Sequence, residues 1–325
     1  MGDPTGIGPE IIVKSLSVQE PFQVCRPIVF GDRDVLFRAA RIQDLSASLE
    51  VIDEIPEDGY RPGKIFLFSL SQLSVHSLRF GQPDRVCGEA MTKYIEEAFR
   101  SVASGKVDAI TTCPINKQAM NQAGYAFPGH TEFLAHLARA SSVAMMFLGA
   151  RWKIVLVTTH LPLKDVAGSI TANRILTTIR LTDEGMKKYF GISHPRIAVL
   201  GLNPHCGEGG LLGEEERREI VPAIAQARSS GMGVEGPFPA DSFFDFSGRS
   251  IFDAIICMYH DQGLIPIKML DFKEAVNFTL GLPFVRTSVG HGTSYDIAGK
   301  GLANPTSLIM AIHAAANILN LKANY

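Results

Sequence analysis

The chain has 325 residues, 46% of them hydrophobic and 20% charged, with a formal net charge of -2. Such a length carries one large domain or two moderate ones, and the composition excludes a disordered chain. With no basic surplus there is no electrostatic footprint for nucleic acid, and no apolar stretch reaches membrane-spanning length.

The N-terminus, MGDPTGIGPE, lacks a charged region followed by an apolar one, so no secretory leader is expected. GDPTGIGPE reads as a glycine-rich turn entering a helix, with Pro9 suited to the first helical position. A strand normally feeds such a turn, yet only Met1 precedes Gly2; either the first strand is absent or the chain begins late. The plain reading of the turn is a helix start. The functional one is a backbone that a ligand approaches closely, with helix amides nearby.

A strand is expected at IVFGD (28–32), then the helix DVLFRAARI and the strand KIFLFSL (64–70). The amphipathic GEAMTKYIEEAFRSVASG is a helix with its stop at Gly105. VDAITT follows as a strand that halts at Pro114, leaving Thr111, Thr112, Asn116 and Lys117 near its end. A capped strand-to-helix turn is the simpler reading there, and a polar wall of a ligand crevice the sharper one. Gly129-His130-Thr131-Glu132 opens the helix TEFLAHLARA, with Thr131 as N-cap; unpaired amides at that start suit an anion. VAMMFLG and KIVLVTTH are strands, TANRILTTIRLTDEGMKKYF and EEERREIVPAIAQARS helices, and PTSLIMAIHAAANIL the closing helix. This alternation predicts an α/β fold with largely parallel sheets and helices on both faces. Without a flexible linker, two domains would be joined by strands that cross between them.

Three apolar, β-branched runs each close on a histidine: KIVLVTTH at His160, RIAVLGLNPH at His205 and FDAIICMYH at His260. They read as buried parallel strands, and ligands bind beyond the carboxyl ends of such strands. Three neutral imidazoles are a plausible set for one divalent cation with a position left open. Each alone is also an ordinary strand-end residue; His76, His136, His194 and His313 are read as structural. Gly207-Glu208-Gly209-Gly210-Leu211-Leu212-Gly213 fails the dinucleotide fingerprint because Leu212 stands at the sixth position, but it could shape the loop that carries His205. Lys268, Asn277 and Arg286 lie sparsely in an apolar stretch, which suits an anion pocket as well as solvated strand ends. The five cysteines include no CxxC, so free thiols in a reducing cytoplasm are expected.

The motifs GDPTGIGPE, TTCPINK, FPGHTEF, LNPHCGEGG, YHDQGLIPIK and NFTLGLPFVRTSVGHGTSYDIAG run in one order from residue 2 to near the C-terminus. Through them the chain resembles the 4-hydroxythreonine-4-phosphate dehydrogenase family of pyridoxal phosphate biosynthesis. The segment His291–Gly299 is also similar to the cofactor loop of isopropylmalate dehydrogenases, placing the family within the isocitrate/isopropylmalate dehydrogenase-like group. That group binds NAD without a Rossmann fingerprint.

The resemblance implies two domains, 1–118 plus 272–325 on the cofactor side and 119–271 for metal and dimerisation. It implies a cytoplasmic homodimer with the active site in an interdomain cleft at the subunit interface. His160, His205 and His260, drawn from both subunits, would hold one divalent ion, zinc, magnesium or cobalt. His130, Thr131, Lys268, Asn277 and Arg286 would contact a small phosphorylated substrate. Gly292 and Asp296 would serve NAD, with Asp296 on the ribose hydroxyls. Asp241 is a candidate proton acceptor and equally a turn residue. The implied reaction oxidises C3 of 4-phosphooxy-L-threonine and then loses CO2, giving 3-amino-2-oxopropyl phosphate. The cation would activate the hydroxyl and polarise the ketone, while Lys268 and Arg286 hold anionic parts of the substrate. Alternatives are a sister dehydrogenase of a threonate or erythronate 4-phosphate, an acyl-phosphate transferase of similar fold, and a non-catalytic metabolite binder.

Overall fold

The computed structural model describes residues 1–244 and 251–323. The GDPTGIGPE turn enters α1 (Gly8–Ser15), with Pro9 in its first turn, and a short α2 (Glu20–Val24) follows. β1 (Ile28–Gly31) leads into α3 (Arg33–Ile42), whose start is fixed by Asp32 Oδ1 accepting from the amides of Asp34 and Val35. β2 (Ser48–Val51) and β3 (Lys64–Ser69) come next. α4 (Arg85–Ala103) is capped by Asp84 and gives way to Gly105 at φ +73°. Then follow β4 (Ala109–Thr112), α5 (Lys117–Gln122) and α6 (His130–Leu137).

β5 (Ala144–Leu148), β6 (Lys153–Leu156) and α7 (Leu163–Ser169) lead to α8 (Ala172–Phe190). α8 is capped by Thr171 and stopped by Gly191 in the left-handed region. β7 (Arg196–Leu200) runs into a turn at Pro204–Gly210. The helix expected from Glu214 divides into a π turn, Glu216–Ile220, and α9 (Val221–Ser229). Pro222, in the first turn of α9, has no amide to offer and marks this break. β8 (Gly233–Phe238), α10 (Ala240–Phe243), β9 (Ala254–Cys257), α11 (His260–Asp271), β10 (Val276–Leu280), β11 (Val285–Ser288) and α12 (Thr306–Ala323) complete the chain.

Contacts divide it into two compact units, Met1–Ala140 with Leu282–Leu319, and Ser141–Gly281 with Asn320–Tyr325. The divisions fall at 140 and 281, not at 118 and 271. α5 and α6 pack on α4 of the first unit, and β10 pairs with β5 of the second. In the first unit β1-β3-β2 is a parallel sheet and β4 runs parallel to β11. Ile11, Leu36, Ile65 and Leu67 are central to its core. In the second, the strands follow the order β10-β5-β6-β9-β7-β8. β5 is antiparallel to both neighbours and β6, β9, β7 and β8 are mutually parallel. Ile154, Leu156, Ala198, Leu200, Ile255 and Cys257 line its core, which explains the continuous apolar runs of these strands.

All five cysteines are free. Cys87, Cys113 and Cys257 are buried, and burial pushes every thiol above its ordinary value, Cys113 to about 11 and Cys87 to about 12. Among the described residues no helix is long and apolar enough to cross a membrane.

Candidate functional site

In the second unit, β6, β9 and β7 are adjacent parallel strands, and each is followed by one of the three histidine loops. The strands end earlier than the apolar runs suggest, at Leu156, Leu200 and Cys257. The residues beyond knit the loops together. Thr158 donates from its amide and its hydroxyl to the Met258 carbonyl, at 3.1 and 2.7 Å. Gln262 accepts from the Met258 amide at 2.7 Å and donates to the Gly201 carbonyl at 2.7 Å. One polar chain thus joins the loops of His160, His260 and His205.

The rings of His160 and His260 lie 5.7 Å apart, centre to centre. Two imidazoles that share a cation at N–metal distances of about 2 Å have centres roughly 5 Å apart, so this pair fits a common ion. His260 Nδ1 is 2.7 Å from Asp261 Oδ1. A carboxylate only accepts, so Nδ1 carries the proton and the Nε2 lone pair is left for a ligand. His205 stands apart, exposed on its own loop; among the described residues no group of three metal-binding side chains gathers.

That loop has an unusual backbone. His205, Cys206, Gly207, Glu208 and Gly209 all have φ between +44° and +76°. A non-glycine residue held there costs about 1–2 kcal/mol, so the turn exists only because its surroundings impose it. The glycine-rich segment that mimics a dinucleotide fingerprint therefore shapes the His205 loop. α10 packs against the same turn, and the Asp241 carboxylate on it adds to the upward push on the Cys206 thiol. Lys268 is partly buried on α11, about two turns past His260. Asn277 lies on β10 opposite Phe147, and its Oδ1 is buried with no hydrogen-bond partner among the described residues.

The first unit holds the other candidates. Arg286, on β11, is 2% exposed and donates from Nη2 to Thr112 Oγ1 at 2.7 Å. Its Nη1 lies 3.5 Å from Thr131 Oγ1, at the limit of a hydrogen bond. Burial lowers the guanidinium to about 10 against the pull of the Glu132 carboxylate, and it stays charged at neutral pH. Thr131 is thereby an Arg286 partner inside α6; Gly129 takes the N-cap position expected of it, without a side-chain cap bond. Burial drives His130 well below its ordinary value, and neighbouring positive charges, Arg286 foremost and Lys117 among them, push the same way. A buried cation beside hydroxyls and a neutral imidazole is an arrangement that receives an anion.

The GDPTGIGPE turn is the helix start of its plain reading, with Pro9 in the first turn of α1. Residues 2–13 are buried, and a Cβ on Gly6 would sit 3.0 Å from the Thr293 carbonyl, so the close approach is to the chain's own 291–301 loop. Tyr295 donates to Asp3 Oδ2 and accepts from Asn116 Nδ2 at 2.8 Å. Asn116 also caps α5 through Ala119, so the simple cap reading holds and a second bond is added. Burial raises the Asp3 carboxyl, and its bonds to Tyr295 and Thr5 oppose the rise. Glu10 accepts from the amides of Gly299 and Gly301 at 2.6 and 2.9 Å. On the loop so braced, Asp296 is exposed and Gly292 faces open space. His291 Nδ1 lies 3.0 Å from the Gly292 carbonyl, and its Nε2 is buried without a partner among the described residues. Reading the sequence missed Asp3, Glu10 and Glu216; the signal was an acid beside glycine-rich turns, where bare amides need an acceptor.

A family model described as pyridoxal phosphate biosynthetic protein PdxA matches residues 23–315. A 4-hydroxythreonine-4-phosphate dehydrogenase of Desulforapulum autotrophicum is 49% identical over 316 residues, covering 97% of this chain and 93% of the relative. A D-threonate 4-phosphate dehydrogenase of Cupriavidus necator is 43% identical, covering 99% and 97%. The crystal structure of a 4-hydroxythreonine-4-phosphate dehydrogenase from Klebsiella pneumoniae superposes with a TM-score of 0.88 at 40% identity, covering 98% of this chain and 96% of that one. Similar in sequence almost from end to end and in the course of its backbone, the chain belongs to the pyridoxal phosphate biosynthetic protein PdxA family.

Proposed function

We infer that the protein is a dehydrogenase that oxidises C3 of 4-phosphooxy-L-threonine with NAD and releases its carboxylate as CO2. The product, 3-amino-2-oxopropyl phosphate, serves pyridoxal 5'-phosphate biosynthesis. The observation that carries this reading is the His160–His260 pair, on loops tied through Gln262 to the loop of His205.

His160, His205 and His260 would hold one divalent ion, zinc, magnesium or cobalt, with ligands drawn from both subunits of a homodimer. Such an ion lowers the pKa of a substrate hydroxyl and polarises a carbonyl, and NAD accepts hydride. The chain's own groups bind and orient. Arg286, with Thr112 and Thr131, holds an anionic part of the substrate, and neutral His130 offers a hydrogen bond without adding charge. Lys268 and Asn277 are further proposed substrate contacts, and Asn277 Oδ1 is buried without a hydrogen-bond partner among the described residues. Asp241 is the candidate proton acceptor. Asp296 and the open backbone at Gly292 serve the coenzyme, Asp296 through the ribose hydroxyls. A homodimer suits α11, where Ile265, Met269 and Phe272 form one exposed apolar stripe.

The test is NADH formation from 4-phosphooxy-L-threonine, with D-threonate 4-phosphate assayed alongside. Chelation, or His205→Ala, should cut turnover by at least about 100-fold while the fold survives, and added divalent ion should restore the chelated enzyme. Near-normal activity after chelation would reject the metal role; faster turnover of the threonate ester would assign the sister reaction instead.

A further inference from the structure

We infer that Glu216 is a positioning residue for His205, a buried carboxylate that sets the left-handed turn on which this imidazole is presented to a divalent cation. The inference rests on His205 being a ligand, as proposed above. Glu216 is 4% exposed, and its Oε1 accepts from two successive backbone amides, Leu202 and Asn203, each at 2.7 Å. Its Oε2 accepts from Asn203 Nδ2 at 2.9 Å, and the same Nδ2 donates to Glu215 Oε2 at 2.7 Å. Both amide protons of Asn203 are thereby spent on carboxylates, two residues before His205.

The fit continues past the histidine. A Cβ on Gly207 would lie 2.7 Å from Glu216 Oε2 and 2.9 Å from the Gly213 carbonyl, and Gly207 has φ +76°. Only glycine combines that backbone with that contact. Three residues that do carry side chains, His205, Cys206 and Glu208, share the left-handed conformation. Such strain persists where the surroundings over-determine it. Here the surroundings are the carboxylate and the π turn that bears it, which Glu219 Oε2 fastens to α8 through the Ala172 amide at 2.6 Å. The buried carboxylate thus serves the strained backbone that carries the exposed His205.

The experiment compares the full-length protein with Glu216→Gln, Asn203→Ala and, as controls, His160→Ala and His205→Ala. Zinc affinity is read by competition with a chromophoric chelator, and cobalt absorption reports ligand geometry. Circular dichroism follows the fold. Glutamine keeps one oxygen for the Leu202 and Asn203 amides but sets its NH2 against Asn203 Nδ2, donor to donor. Glu216→Gln should weaken zinc retention by about 10- to 100-fold and shift the cobalt bands in a folded protein, with Asn203→Ala showing a smaller loss in the same direction. If Glu216→Gln does not fold, Asn203→Ala decides alone. Wild-type zinc affinity in the folded clasp variants, with the ion lost in both histidine controls, overturns the role of Glu216 while the metal reading stands. Retention in the histidine controls as well overturns both.

Discussion

A partly buried histidine set beside an arginine and a lysine holds a proton poorly. His130 is in that position, lowered first by burial and then by the positive charges around it. In the unfolded chain its imidazole titrates near 6.5. Below that pH the unfolded state therefore binds the extra proton and the native state does not. The stability is complete above about pH 6.5 and is lost as pH falls toward the lowered native value. His130→Asn should remove part of this loss, giving a shallower decline in urea stability between about pH 7 and 5; an unchanged slope would contradict the assignment. The same neutrality serves binding. Arg286 keeps its charge at neutral pH, and on the proposed reading it is the group that an arriving phosphate or carboxylate would meet.

Segments that packing makes regular were readable, and those shaped by tertiary partners were not. α8 and α4 announce themselves by apolar periodicity, α8 also by Thr171 at its start, whereas α4 begins three residues before the expected Gly88, at the Asp84 cap. α11 was hidden because Gly263 and Pro266 interrupt its helical pattern. The short, exposed β2 carries no apolar signature. The π turn before α9 could not be distinguished from a helix, since its role rests on Glu216 reaching a loop fourteen residues back in sequence. The 291–301 loop shows the same dependence: its shape is written in Asp3 and Glu10, almost three hundred residues away. Glu10→Gln replaces one acceptor for the Gly299 and Gly301 amides by a donor. It should raise the KM for NAD several-fold, with the KM for substrate little changed, and speed hydrogen exchange at those two amides. Unaltered exchange would mean the loop holds its form unaided.

Across the molecule, the alternation of strands and helices made the α/β class legible, and the three histidine runs did mark neighbouring parallel strands. Where one unit gives way to the other was less visible, because nothing in the composition changes at 140 or 281. The pairs inside each unit, β4 with β11 and β10 with β5, join segments far apart along the chain. The cysteines form a ready-made clock. Cys113 belongs to one unit and Cys257 to the other, both sheltered and both disinclined to ionise. A thiol in that state reacts with a disulfide reagent only when its surroundings open. Timed labelling in mild urea, read by mass spectrometry, should therefore count the openings around Cys113 and Cys257 separately. Equal rates at every denaturant concentration would show that the units come apart as one; distinct rates would show which of them yields first.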